Sequence, residues 1–159
     1  MKAKINQFKD EKKKDVTVKV SENLNTVNKN AINRFTNNIN ELDKAVANIA
    51  TRADKAVANN KDVSLVMVKI SAAKSAIESA RTAVTTQAGK IYSISVTSEI
   101  KVADDLKKSR DQLNSDLKVV QDTIKAAHDA VWAALVELQK VPNINNVISP
   151  ASTTQPATQ

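Results

Sequence analysis

Apolar and small residues recur along this chain at alternating spacings of three and four positions, in three separate runs. Such spacing is typical of helices that pack along an apolar seam with a seven-residue repeat. The first seam consists of Leu24, Val27, Ala31, Phe35, Ile39, Leu42, Val46, Ile49, Ala53 and Ala56. The second consists of Val63, Val66, Ile70, Ala73, Ile77, Ala80 and Val84. The third consists of Leu106, Arg110, Leu113, Leu117, Val120, Ile124, Ala127, Val131, Ala134 and Leu138. These seams predict helices over about 21–59, 63–88 and 98–141.

Residue types that end or begin helices stand between the seams. Residues 59–62 (NNKD) offer asparagines for the left-handed position after a helix and an aspartate to cap the next one. Gly89, the only glycine, ends the second seam, where we expect a positive φ. Thr97 or Ser98 is the expected cap of the third helix, which should end before Pro142.

The segment 90–96 (KIYSISV) interrupts the helical spacing. Tyr92, Ile94 and Val96 alternate with serines, as in a half-buried extended segment. At about 1.5 Å per helical residue the second and third helices span roughly 39 and 63 Å. An extended segment of this length adds about 23 Å. The second helix together with 90–96 therefore matches the third helix in length.

These lengths predict an all-α fold: an elongated, antiparallel three-helix bundle with coiled-coil-like seams. The extended segment 90–96 lies between the second and third helices and continues the line of the second helix. The same narrow seams also permit the alternative of coiled-coil assembly between separate chains.

Composition agrees with a helical protein and disfavours most familiar active sites. The chain of 159 residues fits one domain, and its single glycine and 3% aromatic content do not suit a β-sandwich or barrel. It contains no cysteine, and its single histidine, His128, cannot form a two-histidine metal motif. A single glycine is also too few for a phosphate-binding loop. We therefore expect no enzyme activity, no cofactor and no small-molecule substrate.

The net charge of +7 is concentrated near the beginning of the chain. Residues 1–20 are predicted to form a lysine-rich flexible arm, and 142–159, rich in Pro, Ser, Thr and Gln, a disordered tail. The arm either serves solubility or makes weak contacts with a polyanion, such as nucleic acid or acidic polysaccharide. Its candidate polyanion-binding residues are Lys2, Lys4, Lys9, Lys12, Lys13, Lys14 and Lys19. No apolar run is long enough for a transmembrane segment, and 1–20 show no secretory signal.

Two groups of apolar residues add apolar area outside the seams of the second and third helices. Trp132 and Leu135 belong to the third helix, and Leu65 and Met67 belong to the second. In the predicted topology both pairs lie at the same end of the bundle. They either thicken the core there or form a patch that binds a protein partner.

Several short motifs carry a resemblance. They are 52–55 (RADK), 59–63 (NNKDV), 88–92 (AGKIY) and 134–138 (ALVEL). Over about 30–141 the chain resembles an uncharacterised family of exported, Ala/Lys-rich helical-bundle proteins of uncultivated small-genome bacteria. The resemblance implies a location at the cell envelope or surface, and it brings no known activity or active site.

The sequence thus favours a noncatalytic structural or interaction protein, a spacer or adhesion-type module of the cell envelope. Its expected partners are other proteins or further copies of itself, bound through helical surfaces. The alternative is a weak polyanion-binding module that acts through the lysine-rich arm. A coat on lipid or granule surfaces would require the seams to open onto an interface, and their narrow apolar stripes disfavour it.

Overall fold

The computed structural model describes residues 10–94 and 98–142. These residues form three α-helices, α1 (Glu11–Ala58), α2 (Ser64–Ala88) and α3 (Val102–Gln139), with a 3₁₀ turn at Glu99–Lys101 before α3. Each helix packs against the other two, and no strand occurs in the described part of the chain. The predicted all-α, elongated three-helix bundle is therefore confirmed. With 48 residues, α1 is about 72 Å long.

The first helix begins at Glu11 rather than near residue 21. The side chain of Asp10 accepts hydrogen bonds from the backbone N–H groups of Lys12 and Lys13, at 2.9 and 3.2 Å. The carboxylate of Glu11 in the first turn also interacts favourably with the positive end of the helix dipole and so stabilises this helix start. The prediction of a flexible arm is therefore wrong for residues 11–20, while residues 1–9 lie outside those described.

The turn between α1 and α2 forms as its asparagines and aspartate predict. Asn60 has a φ of 56°, and its N–H donates to the carbonyl of Val57 while the N–H of Lys61 donates to that of Ala56. This pair of bonds is the Schellman arrangement that closes a helix. Asp62 then accepts a hydrogen bond at 2.9 Å from the backbone N–H of Ser64, the first residue of α2.

Two expectations about helix ends are wrong. Gly89 has a φ of −76°, within the right-handed helical region, so the end of α2 does not need a glycine for its backbone conformation. Ser98 precedes the 3₁₀ turn with an extended backbone and makes no capping hydrogen bond through its side chain. The residue directly before α3 is Lys101, so Ser98 is not the cap of that helix. Thr97 lies outside the described residues.

The main core lies where all three helices run side by side. Every residue of the second predicted seam is buried in it, and alanines from all three helices approach complete burial. These fully buried alanines are Ala53, Ala56, Ala73, Ala80, Ala127 and Ala134. Their small side chains let the helix backbones approach closely, so the bundle is held by aliphatic packing without aromatic residues in its centre.

A second, smaller core lies beyond the end of α2. Tyr92 and Ile94 of the connecting segment are buried there, together with Leu24 of α1 and Val102 and Leu113 of α3. The intervening residues of the segment are exposed, which confirms the predicted alternation over 91–94. The segment thus takes the place of α2 between the other two helices. Residues 95–97 lie outside those described.

The predicted seams fail at a few positions near this second core. Val27 is 42% exposed, and the neighbouring Asn28 is buried in its place. The helix makes a four-residue step from Leu24 to Asn28 here because the amide of Asn28 finds hydrogen-bond partners in the connection after α2. On α3, Arg110 is exposed and Leu117 is only partly buried.

Candidate interaction surfaces

A layer of hydrogen-bonded side chains separates the two cores, and we name it the polar layer: Asn28, Gln87, Tyr92 and Asp116. Gln87 Nε2 donates to Asn28 Oδ1 at 2.9 Å and to the Tyr92 hydroxyl at 2.7 Å. The Tyr92 hydroxyl in turn donates to Asp116 Oδ2 at 2.6 Å. One chain of bonds therefore links α1, the end of α2, the connecting segment and α3.

The backbone of the connecting segment is held by Asn25. Its Nδ2 donates to the carbonyl of Tyr92 at 2.8 Å, and its Oδ1 accepts from the N–H of Tyr92 at 2.9 Å. The Asn25 amide thus bonds to one residue's backbone much as a neighbouring strand would. This pairing satisfies both backbone polar groups of a residue that is otherwise buried between two helices.

Asp116 is the charged member of the polar layer. Its Oδ1 lies 3.0 Å from Lys90 Nζ and accepts a hydrogen bond from Gln112 Nε2 at 3.0 Å. Burial acts to raise the pKa of Asp116, but the hydrogen bonds from Tyr92, Lys90 and Gln112 outweigh it and lower the pKa below its usual value. Asp116 is therefore ionised at neutral pH.

The same surroundings act in the opposite direction on Tyr92. Burial, and then the hydrogen bond to the Asp116 carboxylate, raise the pKa of the Tyr92 hydroxyl to about 12. The hydroxyl therefore keeps its proton at neutral pH and donates a hydrogen bond to Asp116. Each side chain of the polar layer is thus hydrogen-bonded to at least one other member of the layer.

An apolar groove lies between α1 and α3, and we call it the Trp132 groove. Its volume is about 410 Å³. The apolar lining consists of Leu42, Ala45, Ile49, Val131, Trp132 and Leu135, and the polar lining of Glu41, Asn48, Arg52 and His128. Trp132 is 59% exposed, so a large aromatic side chain of the type enriched in binding hot spots meets solvent here.

The four candidate partner-binding residues do not gather in one place. Trp132 and Leu135 line the groove, whereas Leu65 and Met67 are exposed on α2 and do not line it. The interpretation that these residues thicken the core is wrong for Trp132, Leu65 and Met67, because all three are exposed. It holds for Leu135, which packs against the main core.

The candidate polyanion-binding lysines that the structure describes lie on a helix. Lys12, Lys13, Lys14 and Lys19 belong to the first turns of α1, and Lys14 Nζ lies 3.4 Å from Glu11 Oε2. Asp10 and Asp15 add further negative charge nearby. The described part of the arm is thus nearly balanced in charge. Lys2, Lys4 and Lys9 lie outside the described residues.

Residues with potential catalytic or metal-binding chemistry are dispersed. His128 is exposed, with Nδ1 3.7 Å from Asp129 Oδ1. Asp105, near the start of α3, is buried. Within 10–94 and 98–142 no three His, Cys, Asp or Glu side chains lie close enough to hold a metal ion.

Sequence signals for these sites differ in strength. The polar layer was missed because its members fall on or beside apolar seams, although asparagine and glutamine at buried helical positions are a usable signal. The sequence identified Trp132 as an apolar residue outside the seam, but left open whether its side chain is buried or exposed.

Comparisons with family models, with curated proteins and with solved structures give no match for this chain. Among the described helices, none is both long and apolar enough to cross a membrane.

Proposed function

We propose that this protein is a noncatalytic structural and interaction protein, a stiff helical spacer of the cell envelope that contacts other proteins through the Trp132 groove. The observation that carries the proposal is the combination of a rod-like bundle with one apolar, tryptophan-lined groove on its side. The location at the envelope rests on the family resemblance alone.

The stiffness of the rod is supported by how its chain connections are fixed. The α1–α2 turn is closed by backbone bonds at Asn60 and Lys61. The connection from α2 to α3 is bound to α1 through Asn25 and to α3 through Tyr92. Fixed connections at these points favour helices that move as one body, which a spacer requires.

The polyanion alternative has less support. The described lysines of the arm stand among acids of opposite charge, so their field at a distance is weak. If a polyanion binds the full chain through Lys12, Lys13 and Lys14, replacing these three residues by glutamine should abolish the binding. Binding that survives this change would contradict a role for them.

Spin-label distance measurement tests the spacer directly. The chain has no cysteine, so Glu22→Cys and Val57→Cys place two labels on exposed positions of α1 without other reaction sites. We expect a narrow distance distribution centred near 52 Å, from about 1.5 Å per residue. Dilution with unlabelled protein isolates distances within one molecule. A broad or much shorter distribution would overturn the proposal of a stiff spacer.

A further inference from the structure

Glu41 and Arg52 mark the two ends of the Trp132 groove on α1. They lie on the same edge of the helix, about three turns or 16 Å apart. The midpoint between them lies at Val46 and Ala47. On α3 the groove extends from His128 to Leu135, so Trp132 stands next to the centre of its own side. Opposite charges are thus placed symmetrically about the middle of an apolar surface.

We propose that the Trp132 groove is the contact surface of a homodimer, in which a second copy of this chain lies antiparallel across it. The proposal rests on the proposed function, since it names the partner of the same groove. In a two-fold dimer, positions at equal distances from the axis face each other. An axis through the midpoint therefore brings Glu41 of each copy opposite Arg52 of the other, and both ion pairs form at once.

The same axis accounts for the exposed tryptophan. Because Trp132 lies next to the middle of the groove, the two tryptophans of a dimer meet near the axis, and each covers part of the other copy's apolar lining. Ala45 and Asn48 lie on the contact edge of α1 near the axis, where their small side chains let the two helices approach. The centre of the contact is then aromatic and aliphatic and its ends are charged, as in typical interfaces.

The pairing of Glu41 in the single chain does not oppose this arrangement. Glu41 Oε1 lies 2.8 Å from Lys44 Nζ, with both side chains about 70% exposed. An exposed ion pair of this kind contributes little free energy. Releasing Lys44 therefore has a small cost for Glu41.

The face is also large enough for a specific dimer. With the axis at this midpoint, residues 35–58 of α1 overlap the same residues of the second copy. A face about 35 Å long and two helices or about 20 Å wide offers roughly 700 Å² from each copy, near the roughly 800 Å² typical of specific interfaces.

Sedimentation equilibrium of the full chain, together with its intrinsic fluorescence, tests the dimer. Trp132 is the only tryptophan, so its emission reports on the groove alone. We expect dimers to appear as concentration rises, with a shift of the emission to shorter wavelength over the same range. A chain that stays monomeric at all concentrations up to the millimolar range would overturn the proposal.

Charge reversal tests the predicted register. Glu41→Arg or Arg52→Glu alone places two like-charged pairs in the homodimer, and we expect the dissociation constant to rise by about tenfold or more. An equimolar mixture of the two variants restores both opposite-charge pairs, so we expect heterodimers with an affinity near that of the unaltered chain. Lys69→Glu, on the exposed surface of α2 outside the groove, is the matched control and should leave dimerisation unchanged.

The mixture separates the possible outcomes. A dimer that ignores both reversals, or two variants that fail to recover affinity on mixing although each is fully helical by circular dichroism, would contradict the Glu41–Arg52 register. A monomeric chain that still gives the narrow spin-label distance would contradict the homodimer and support the stiff spacer. A broad spin-label distance distribution would contradict the proposal of a stiff spacer, whether the chain is monomeric or dimeric.

Discussion

The hydroxyl of Tyr92 donates a hydrogen bond to the carboxylate of Asp116 across 2.6 Å, at the level where α2 has ended. This bond joins the connecting segment to α3, while Asn25 joins the same segment to α1. The two cores on either side of the polar layer are thereby connected through side chains with defined geometry. Aliphatic packing alone would leave the register of the segment less well specified.

Removing only the hydroxyl of Tyr92 tests the contribution of this bond. In Tyr92→Phe the ring still fills the second core, but Asp116 and Gln87 each lose a partner in a largely buried place. We expect the free energy of unfolding to fall by about 1–3 kcal/mol. Urea unfolding measures the change. A variant as stable as the unaltered chain would show that the layer contributes no net stability.

Alkaline titration tests the surroundings of the same hydroxyl. Tyr92 is the only tyrosine, so ultraviolet absorbance follows its ionisation directly. The folded protein should titrate near the raised pKa of about 12, and the urea-unfolded chain near 10.

The sign of the accompanying stability change follows from this difference. The stabilising contribution of Tyr92 is fully present below pH 10 and is lost as pH rises from about 10 to about 12, since the unfolded chain ionises first. Lysines also ionise in this pH range, so the pH dependence of stability is compared with that of Tyr92→Phe, which retains all the lysines. A folded-state titration near 10 would mean that the hydroxyl is neither buried nor bonded to Asp116.

The substitution Asn25→Ala tests the hydrogen bonds between Asn25 and the connecting segment. Both backbone polar groups of Tyr92 lose their bonds to the amide, so hydrogen exchange at the Tyr92 N–H should accelerate markedly. Exchange measured by nuclear magnetic resonance reports this single site. Asn23→Ala is the control, because Asn23 is exposed on the same helix. Equal exchange rates in the two variants would contradict the pairing.

Gly89 should tolerate a side chain. Its φ of −76° suits any residue, and an added Cβ would meet only the carbonyl oxygen of Thr86, at an ordinary contact distance of 3.6 Å. We expect Gly89→Ala to raise stability by about 0.4–1 kcal/mol, because alanine restricts the unfolded chain. A loss of stability above 1 kcal/mol in thermal unfolding would show that the glycine has a backbone role after all.

The fold follows from the sequence to the extent that aliphatic periodicity determines it. All seven residues of the second seam are buried, because α2 packs against both other helices along its whole length. The alternation at Tyr92 and Ile94 identified the segment that replaces α2. Both patterns arise because residues close in the chain lie on the same face of a helix or extended segment, and such a pattern can be recognised in a single sequence.

The remaining features depend on partners that are distant in the chain. The burial of Asn28 requires carbonyls at Gln87 and Lys90, and no local pattern reveals them. The early start of α1 was missed because charged residues dominate there, although Asp10 is a recognisable cap. For the candidate site, the sequence supplied Trp132 and Leu135. It did not show that Glu41 and Arg52 lie at the two ends of the same groove, because the position of the groove depends on the register of α1 against α3.

Native-state hydrogen exchange tests most directly the central claim, that the polar layer joins two cores into one stiff rod. Amides of Leu24 and Leu113 report on the second core, and those of Ile77 and Val131 on the main core. The account predicts that both sets open with the same free energy as global unfolding, and that Tyr92→Phe lowers it for Leu24 and Leu113 first. Opening of the second core at a free energy lower by more than about 2 kcal/mol in the unaltered chain would contradict the account.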